Sequence, residues 1–249
     1  MNPRMESDAQ APAAPRSRRL HDLARAVLAL FTGHPPEVRN RIKFVLLSPI
    51  YDVFYRLVPI DPHREIARRL PPGTRRVLDL CTGTALVPAV LAERAEMFVV
   101  GLDLSPEMLA MGRAKLTRAG RLEAALVRAD AGRLPFRGGS FDAVTVSFGL
   151  HELPTAVRER AAHEAARVLR HGGTLVVADL DRPPRLGWLV DAYLRIGEPA
   201  HAREATGDGL ARLLRAAGFA VEREGPRGAV PMQVLVARPG ARSGAGPGL

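Results

Sequence analysis

The sequence predicts an α/β protein with a mainly parallel sheet of seven strands and helices on both faces. Short apolar runs alternate with segments of longer, helical period, and the runs lie at about 76–80, 98–103, 124–128, 141–147 and 173–180. This alternation implies right-handed crossovers and a parallel sheet. The last two strand-like runs, FAVERE and VPMQVLVAR, are joined only by GPRGA. Since a parallel crossover needs a longer connection, these runs predict a terminal antiparallel hairpin.

Residues typical of helix ends support the helices in this pattern. Ser105 precedes Pro106, which predicts an N-cap followed by the first helical residue. The segment His171-Gly172-Gly173 is expected to close a helix over Thr155–Arg170 and to release the chain into a strand. Gly218 is expected to end a helix over Leu210–Ala217.

The composition along the chain predicts one domain between two tails. Residues 1–19 and 240–249 are rich in proline, glycine or alanine and are expected to be disordered. The domain is expected to span 20–239, and roughly its first 50 residues, 20–70, form an amphipathic helical region long enough to cap one end of the sheet. The apolar stretch 44–60 contains Pro, Asp and Arg and is too short to span a bilayer.

Charge and cysteine content restrict the partners and the compartment. The net charge is +10, but the only lysines are Lys43 and Lys115, and the arginines are spread along the whole chain. This distribution indicates a compositional bias more than a basic face, so no nucleic-acid partner is expected. The single cysteine, Cys81, excludes an internal disulfide and favours a reducing, cytoplasmic location. The scattered histidines give no metal site.

Two aspartates mark a candidate ligand site. Asp79 and Asp103 end the first two predicted strands, and the turn Cys81–Ala85 follows the first of them. In an open parallel sheet, ligands bind beyond the carboxyl ends of the strands. A carboxylate after the second strand suits a ribose diol, because its oxygens can accept both hydroxyl protons. The turn is expected to direct its free backbone N–H groups into the crevice, because it begins a helix.

The turn is a poor match to the dinucleotide fingerprint G-x-G-x-x-G. The three glycine positions of that fingerprint fall on Cys81, Gly83 and Leu86. A pyrophosphate would meet side chains where it needs bare backbone. The turn instead suits a smaller adenosine ligand with an amino-acid tail, and the alternative at this point is an ordinary strand-turn-helix without a ligand.

Four segments in order carry a resemblance to a known family. They are VLDLCTGTA, VVGLDLSPEML, RADAGRLPFRGGSFDAVTVSFGL and ARVLRHGGTLVVADL. Across Val77–Asp181 the chain resembles the class I S-adenosylmethionine (SAM)-dependent methyltransferases, which have a Rossmann-like fold. More narrowly, it resembles the ubiquinone/menaquinone-biosynthesis C-methyltransferases. The resemblance implies SAM as the cofactor.

The resemblance also implies a role for each matching position. The turn after the first strand would hold the methionine part of SAM, through Asp79, Cys81, Thr82, Gly83 and Thr84. Asp103 would bind the ribose hydroxyls, with Leu104 beside it. Asp130 would accept from the adenine amino group next to the Ala131 backbone, and Ser147 would lie near the amino-acid end and the methyl group.

The chain departs from the family pattern at two places. The family turn usually has glycine or alanine at position 81 and glycine at position 85, where this chain has Cys81 and Ala85. Ala85 is expected to be harmless if the helix has already begun there. Cys81 is expected to pack as a small apolar residue and not to act as a nucleophile. The Arg-Asn pair common after SFGL is replaced by His151-Glu152.

His151 is the candidate catalytic residue, as a general base for an acceptor that arrives protonated. The alternative is a structural histidine at the rim of the crevice. The candidate substrate residues are Tyr51 in the N-terminal region and Trp188 and Tyr193 in 181–205, a segment expected to cover the substrate. Trp188, Leu189, Tyr193 and Leu194 have helical spacing and are expected to form one apolar face, which either closes over an apolar substrate or packs on the sheet.

These observations predict a SAM-dependent methyltransferase that acts on a small, apolar or amphipathic acceptor of quinol, phenol or lipid type. Peripheral contact with a membrane is compatible with such an acceptor, and either a monomer or a homodimer would serve. One alternative is a SAM-fold scaffold protein without catalysis. Another is an RNA methyltransferase, against which stands the absence of an NPPY-like motif for a flipped base.

Overall fold

A computed structural model describes residues 61–94, 96–121, 124–182, 187–188, 190–191, 194, 200–224 and 231–240. Most of the predicted N-terminal helical region, together with Tyr51, Leu189 and Tyr193, lies outside the described residues. The same is true of the predicted tails, apart from Gly240.

Seven strands form a single sheet in the order β3-β2-β1-β4-β5-β7-β6. Their bounds are Arg76–Leu80 (β1), Phe98–Asp103 (β2), Ala125–Arg128 (β3), Phe141–Ser147 (β4), Leu169–Leu180 (β5), Phe219–Arg223 (β6) and Met232–Pro239 (β7). Strands β1 to β5 are parallel, whereas β7 pairs antiparallel with both β5 and β6. The predicted parallel sheet with a terminal hairpin is therefore confirmed.

Among the residues that the structure describes, helices surround the sheet. They are Pro62–Arg69 (α1), Leu86–Leu91 (α2), Pro106–Arg118 (α3), Thr155–Val168 (α4) and Gly209–Ala216 (α5), with 3₁₀ turns at Leu150–Glu152 and Ala200–Ala205. Ser105 caps α3 as predicted, since its Oγ accepts the N–H of Met108 at 3.2 Å. In the described part of the chain, no helix is both long enough and apolar enough to cross a membrane.

Each face of the sheet has its own hydrophobic core. Alternation along β1 places Leu78 and Leu80 in a core with residues of α4 and α5, and places Val77 in a second core with residues of α1 and α2. The period of two along the strand thus gives one strand two buried faces. Helices cover both faces, as the sequence predicted.

Helix α4 ends earlier than the two glycines that follow it, Gly172 and Gly173, suggest. It stops at Val168, and β5 begins at Leu169, which is buried and pairs with Phe141. Gly172 has a φ of +73° and lies inside the irregular first part of β5. The expectation that His171-Gly172-Gly173 closes the helix is therefore wrong, because pairing of the apolar Leu169 ends the helix first. Gly218, with a φ of +89°, follows α5 closely as predicted.

The order of the strands determines where a crevice forms. The chain runs from β1 outward through β2 to β3, and then returns to the other side of β1 with β4 and β5. Loops that follow strands on the two sides of this reversal diverge, which leaves an opening at the carboxyl ends of β1 and β4. The candidate residues after β1, β2, β3 and β4 all lie at this edge.

Candidate active site

Asp79 is the buried centre of the crevice. It lies in β1 and is 1% exposed. Thr82 Oγ1 in the following turn donates to Asp79 Oδ2 at 2.6 Å, and Thr145 Oγ1 in β4 donates to Oδ1 at 2.7 Å. The carboxyl group therefore joins β1, the turn after it and β4.

Burial raises the pKa of Asp79 to about 7, because removal from water disfavours the charged form. The two threonine hydroxyls act in the opposite direction, and the nearby carboxylate of Asp103 adds to the increase. Near neutral pH the carboxyl group of Asp79 is consequently partly protonated, whereas an exposed aspartate is fully ionised.

The turn after β1 has an unusual backbone. Cys81 has a φ of +53°, Gly83 of +53° and Ala85 of +60°. Helix α2 begins only at Leu86, so Ala85 is a left-handed residue before the helix. The expectation that the helix has already begun at Ala85 is therefore wrong. Left-handed conformations cost L-residues roughly 1 kcal/mol or more, which explains why glycine suits these positions in the family pattern.

The backbone N–H groups of this turn are mostly used inside the protein. The N–H of Thr82 donates to Leu102 O at 3.0 Å, and the N–H of Ala85 donates to Thr82 O at 2.9 Å. The N–H of Gly83 donates to Asp103 Oδ2 at 2.8 Å. The expectation that free N–H groups of the turn face the crevice is wrong for these three residues. Gly83 instead orients the carboxylate of the next strand.

Asp103 lies at the end of β2 and is held on both sides. Its Oδ2 accepts the N–H of Gly83 at 2.8 Å, and its Oδ1 accepts the N–H of Ser105 at 2.9 Å. Burial raises the pKa of this carboxyl, and the backbone N–H groups counteract the increase. Each oxygen retains a second lone pair. Leu104 follows as an exposed apolar side chain, 65% accessible to solvent.

Asp130 and Ala131 follow β3 beside Asp103. Asp130 is exposed, and its Oδ1 accepts the N–H of Gly132 at 2.8 Å, which folds the loop back on itself. Ala131 is buried. The structure thus brings these two residues to the same sheet edge as Asp79 and Asp103, as the sequence predicted.

The end of β4 packs closely against the turn after β1. Ser147 Oγ is buried and has no hydrogen-bond partner among the described residues. Phe148 has a φ of +51°. A Cβ on Gly149 would lie 2.4 Å from Cys81 Cβ and 3.1 Å from Cys81 Sγ, so only glycine fits without a displacement. The side chain of Cys81 therefore sets the spacing between the two loops.

His151 is buried and paired with a strand carboxylate. It lies in the first 3₁₀ turn and is 4% exposed, and its Nδ1 is 2.5 Å from Asp179 Oδ1 in β5. Asp179 Oδ2 also accepts the N–H groups of Leu150 at 3.0 Å and His151 at 3.3 Å. His151 Nε2 is 3.7 Å from Glu152 Oε1. The pair therefore fixes both the ring and the loop that carries it.

The crevice is strongly acidic. Burial raises the pKa of the Cys81 thiol well above its usual value, and Asp103, Asp79, Asp179 and Glu152 add to the increase. A neutral thiol agrees with the expectation that Cys81 packs as a small residue and is not a nucleophile. Four carboxyl groups around one side chain favour a positively charged ligand.

The predicted cover segment is only partly described. Val190 and Leu194 are buried together with Ala202 in a small core, against which Leu180 packs. Trp188 is 67% exposed and lies outside this core. Of the four residues predicted to form one apolar face, the structure describes Trp188 and Leu194, of which Leu194 is buried and Trp188 is exposed.

Sequence reasoning missed three residues of this edge. Asp179 gave a signal, since it is a charged residue inside a strongly apolar run. Thr145 gave none, because threonine is common in strands. Arg158 gave none either, because it is one of three arginines on α4.

Comparison with known proteins agrees with this geometry. A family model described as a methyltransferase domain matches residues 77–173. A demethylmenaquinone methyltransferase from Thermus thermophilus is 36% identical over 208 residues, which cover 73% of this chain and 93% of the relative.

The chain belongs to the class I SAM-dependent methyltransferases of the ubiquinone/menaquinone group. It is an enzyme, and SAM is its cofactor.

Solved structures of methyltransferases share the fold. A SAM-dependent methyltransferase from Thermotoga maritima has a TM-score of 0.61 at 21% identity, covering 78% of this chain and 96% of that one. The glycopeptide N-methyltransferase MtfA, solved in complex with SAM, has a TM-score of 0.55 at 20% identity, covering 71% of this chain and 92% of that one. At these identities the likeness concerns the fold.

The contact between Gly149 and Cys81 predicts a compensating pair of substitutions. Gly149→Ala should lower the free energy of unfolding by about 1–3 kcal/mol, because its methyl overlaps Cys81 Cβ. In a Cys81→Gly background the same substitution should cost at least about 1 kcal/mol less. Urea unfolding of the wild type, both single variants and the double variant measures this coupling. Equal costs in both backgrounds would contradict the contact.

The raised pKa of Asp79 predicts a pH-dependent stability in the SAM-free enzyme. Because the folded pKa lies above the unfolded value, the native state gains stability from the bound proton at low pH. That stability is lost as the pH rises toward about 7. As the pH rises from about 5.5 to 7.5, the free energy of unfolding of Asp79→Asn should increase by about 2 kcal/mol relative to that of the wild type. A pH-independent difference in urea unfolding would show that Asp79 ionises normally.

Proposed function

We propose that the enzyme transfers the methyl group of SAM to a hydroxylated aromatic ring of quinol or phenol type. The observation that carries this proposal is the buried pair of His151 and Asp179 beside the end of β4. The similarity to the Thermus thermophilus demethylmenaquinone methyltransferase supports a quinol over other apolar acceptors.

The residues at the carboxyl edge fit SAM. Two N–H groups hold the carboxylate of Asp103, and its oxygens keep lone pairs for the two ribose hydroxyls. Leu104, exposed beside it, offers an apolar surface to the adenine, and Asp130 with Ala131 would complete the adenine site. The acidic crevice complements the positive sulfonium and ammonium groups of SAM.

The amino-acid end of SAM would occupy the region between the two packed loops. We assign it to the segment from Asp79 to Thr84, and in particular to Asp79, Cys81, Thr82, Gly83 and Thr84. The buried hydroxyl of Ser147, which lacks a partner among the described residues, would complete this end of the site. A buried polar group without a partner is costly, and a bound ligand would relieve that cost.

In this proposal His151 accepts the hydroxyl proton of the acceptor. When bound, SAM supplies an electrophilic methyl group. A phenol has a pKa near ~10 and is mostly protonated at neutral pH, so a positioned base increases its reactivity. With Nδ1–H donating to Asp179, the lone pair of the ring lies on Nε2. The role of Asp179 is to fix this tautomer and the orientation of the ring.

The charge of the crevice restricts the acceptor. A carboxylate or phosphate near the reacting atom would be repelled by Glu152 and Asp179, whereas a neutral hydroxylated ring would not. We propose Trp188, exposed and apolar, as a contact for that ring or its side chain, together with Tyr51 and Tyr193.

Asp103→Ala tests the proposed ribose contact. Hydrogen bonds to a charged acceptor contribute about 1.5–3 kcal/mol, so the substitution should weaken binding of S-adenosylhomocysteine at least tenfold in calorimetry. Glu159→Ala, an exposed carboxylate on α4, is the control and should bind normally. Unchanged affinity in a folded Asp103→Ala variant would place the ribose elsewhere.

His151→Gln tests the proposed base, with a short-chain demethylmenaquinol as the acceptor. We expect kcat to fall by about 10²-fold or more, while the affinity for S-adenosylhomocysteine remains nearly unchanged. In the wild type, kcat should increase with pH through the histidine range, and the variant should lose this increase. The control is His163→Gln, which changes an exposed histidine of α4. Near-normal turnover by folded His151→Gln would remove the ring from the chemistry.

A further inference from the structure

Arg158 is a buried cation that the proposed chemistry does not use. It lies in α4 and is 1% exposed. Its Nε donates to Leu150 O at 2.7 Å, and its Nη2 donates to Leu153 O at 3.0 Å and to His201 O at 3.1 Å. The acceptors belong to two segments: the loop around His151 and the 3₁₀ turn Ala200–Ala205, which ends the predicted cover.

Burial of the Arg158 guanidinium between these two segments is energetically unfavourable. Burial lowers the pKa of Arg158 from its usual value, and Asp179, Glu204 and Glu159 counteract that decrease. Apolar side chains of similar size often stabilise such sites as well or better. Packing alone therefore does not explain an arginine here, whereas three backbone acceptors at fixed directions do, because its rigid fork can bind them together.

Further bonds join the same two segments. The ring Nε2 of His201 donates to Glu152 O at 3.0 Å, and Thr155 Oγ1 donates to Glu204 Oε2 at 2.5 Å. Gln233 in β7 joins the turn 200–205 to the sheet, since its Nε2 donates to Ala205 O at 3.0 Å and to Leu180 O, at the end of β5, at 2.7 Å. The turn 200–205 is thus fixed to the His151 loop and also to the sheet.

We propose that Arg158 is a positioning residue for the acceptor. It holds the His151 loop and the end of the cover at a fixed distance, so that the acceptor is aligned between them. The inference rests on the proposed function for the role of His151. All the contacts of Arg158 lie on the β4–β5 side, while most of the proposed SAM residues follow β1, β2 and β3. Its loss should consequently affect the acceptor more than SAM.

Arg158→Met and Arg158→Lys test this, with Arg212→Met as the matched control on the exposed surface of α5. Methionine keeps most of the length but donates no hydrogen bond, while lysine keeps the charge and one donor group. For Arg158→Met we expect kcat/KM for the demethylmenaquinol to fall at least about tenfold, with a higher acceptor KM. Affinity for S-adenosylhomocysteine should stay within about twofold, and Arg158→Lys should recover part of the loss.

The same variants distinguish positioning from general stability. If folded Arg158→Met keeps the acceptor kinetics of the wild type, or loses SAM affinity as strongly as acceptor efficiency, the proposal is overturned. Should Arg158→Met fail to fold, His201→Leu removes a second bond between the same segments, and it should raise the acceptor KM in the same way. An unchanged acceptor KM in folded His201→Leu would then overturn the proposal.

Failure of the proposed base has a separate signature. If His151→Gln retains turnover while Arg158→Met raises the acceptor KM, the acceptor is aligned by these segments but His151 takes no proton. If His151→Gln abolishes the pH-dependent increase in kcat while Arg158→Met behaves as wild type, the base stands and the positioning role fails.

Discussion

One buried carboxyl group holds together the parts from which the crevice is made. Asp79 accepts hydrogen bonds from the hydroxyls of Thr82 in the turn and Thr145 in β4, two residues that are far apart in the sequence. The close packing of Gly149 against Cys81 is a second contact between the turn after β1 and the loop after β4. The link through Asp79 requires a carboxyl group that is removed from water. Such burial disfavours the charged form and raises the pKa of Asp79 to about 7.

The same device recurs along the carboxyl edge. Asp103 orients the turn through the N–H of Gly83, and Asp179 orients the next loop through the N–H groups of Leu150 and His151. Arg158 completes that loop from the carbonyl side. The carboxylates of Asp103 and Asp179 thus hold loop backbone that lies outside the hydrogen-bonded ladder of the sheet. The loops are held by hydrogen bonds to carboxyl groups, which are stronger than neutral ones when the carboxyl is ionised, so the crevice is preorganised before a ligand binds.

Local patterns predicted the sheet well because they arise within single strands. The apolar runs place β1, β2 and β4 at their observed bounds, and Asp79 and Asp103 at neighbouring strand ends. Contacts between distant residues left no such pattern. Asp179 lies 28 residues from His151, and nothing near Arg158 in the sequence indicates three carbonyl acceptors. The left-handed Ala85 was missed for another reason, since alanine ordinarily favours helix and only the tertiary contacts override that preference.

His151-Glu152 stands where the resembling family commonly has an Arg-Asn pair, and under the proposed function this difference concerns the acceptor. A fixed cation can stabilise a phenolate but cannot take the proton of a phenol, whereas in the proposed mechanism an imidazole held by Asp179 takes that proton and Asp179 stabilises the resulting imidazolium. Glu152 and Asp179 would oppose an acceptor that arrives as an anion. Under the proposed function, the exchange would therefore favour a neutral hydroxyl group that loses its proton only at the imidazole of His151. The proposed mechanism requires close alignment of hydroxyl and imidazole, and the bonds of Arg158 and His201 to the His151 loop would supply that alignment.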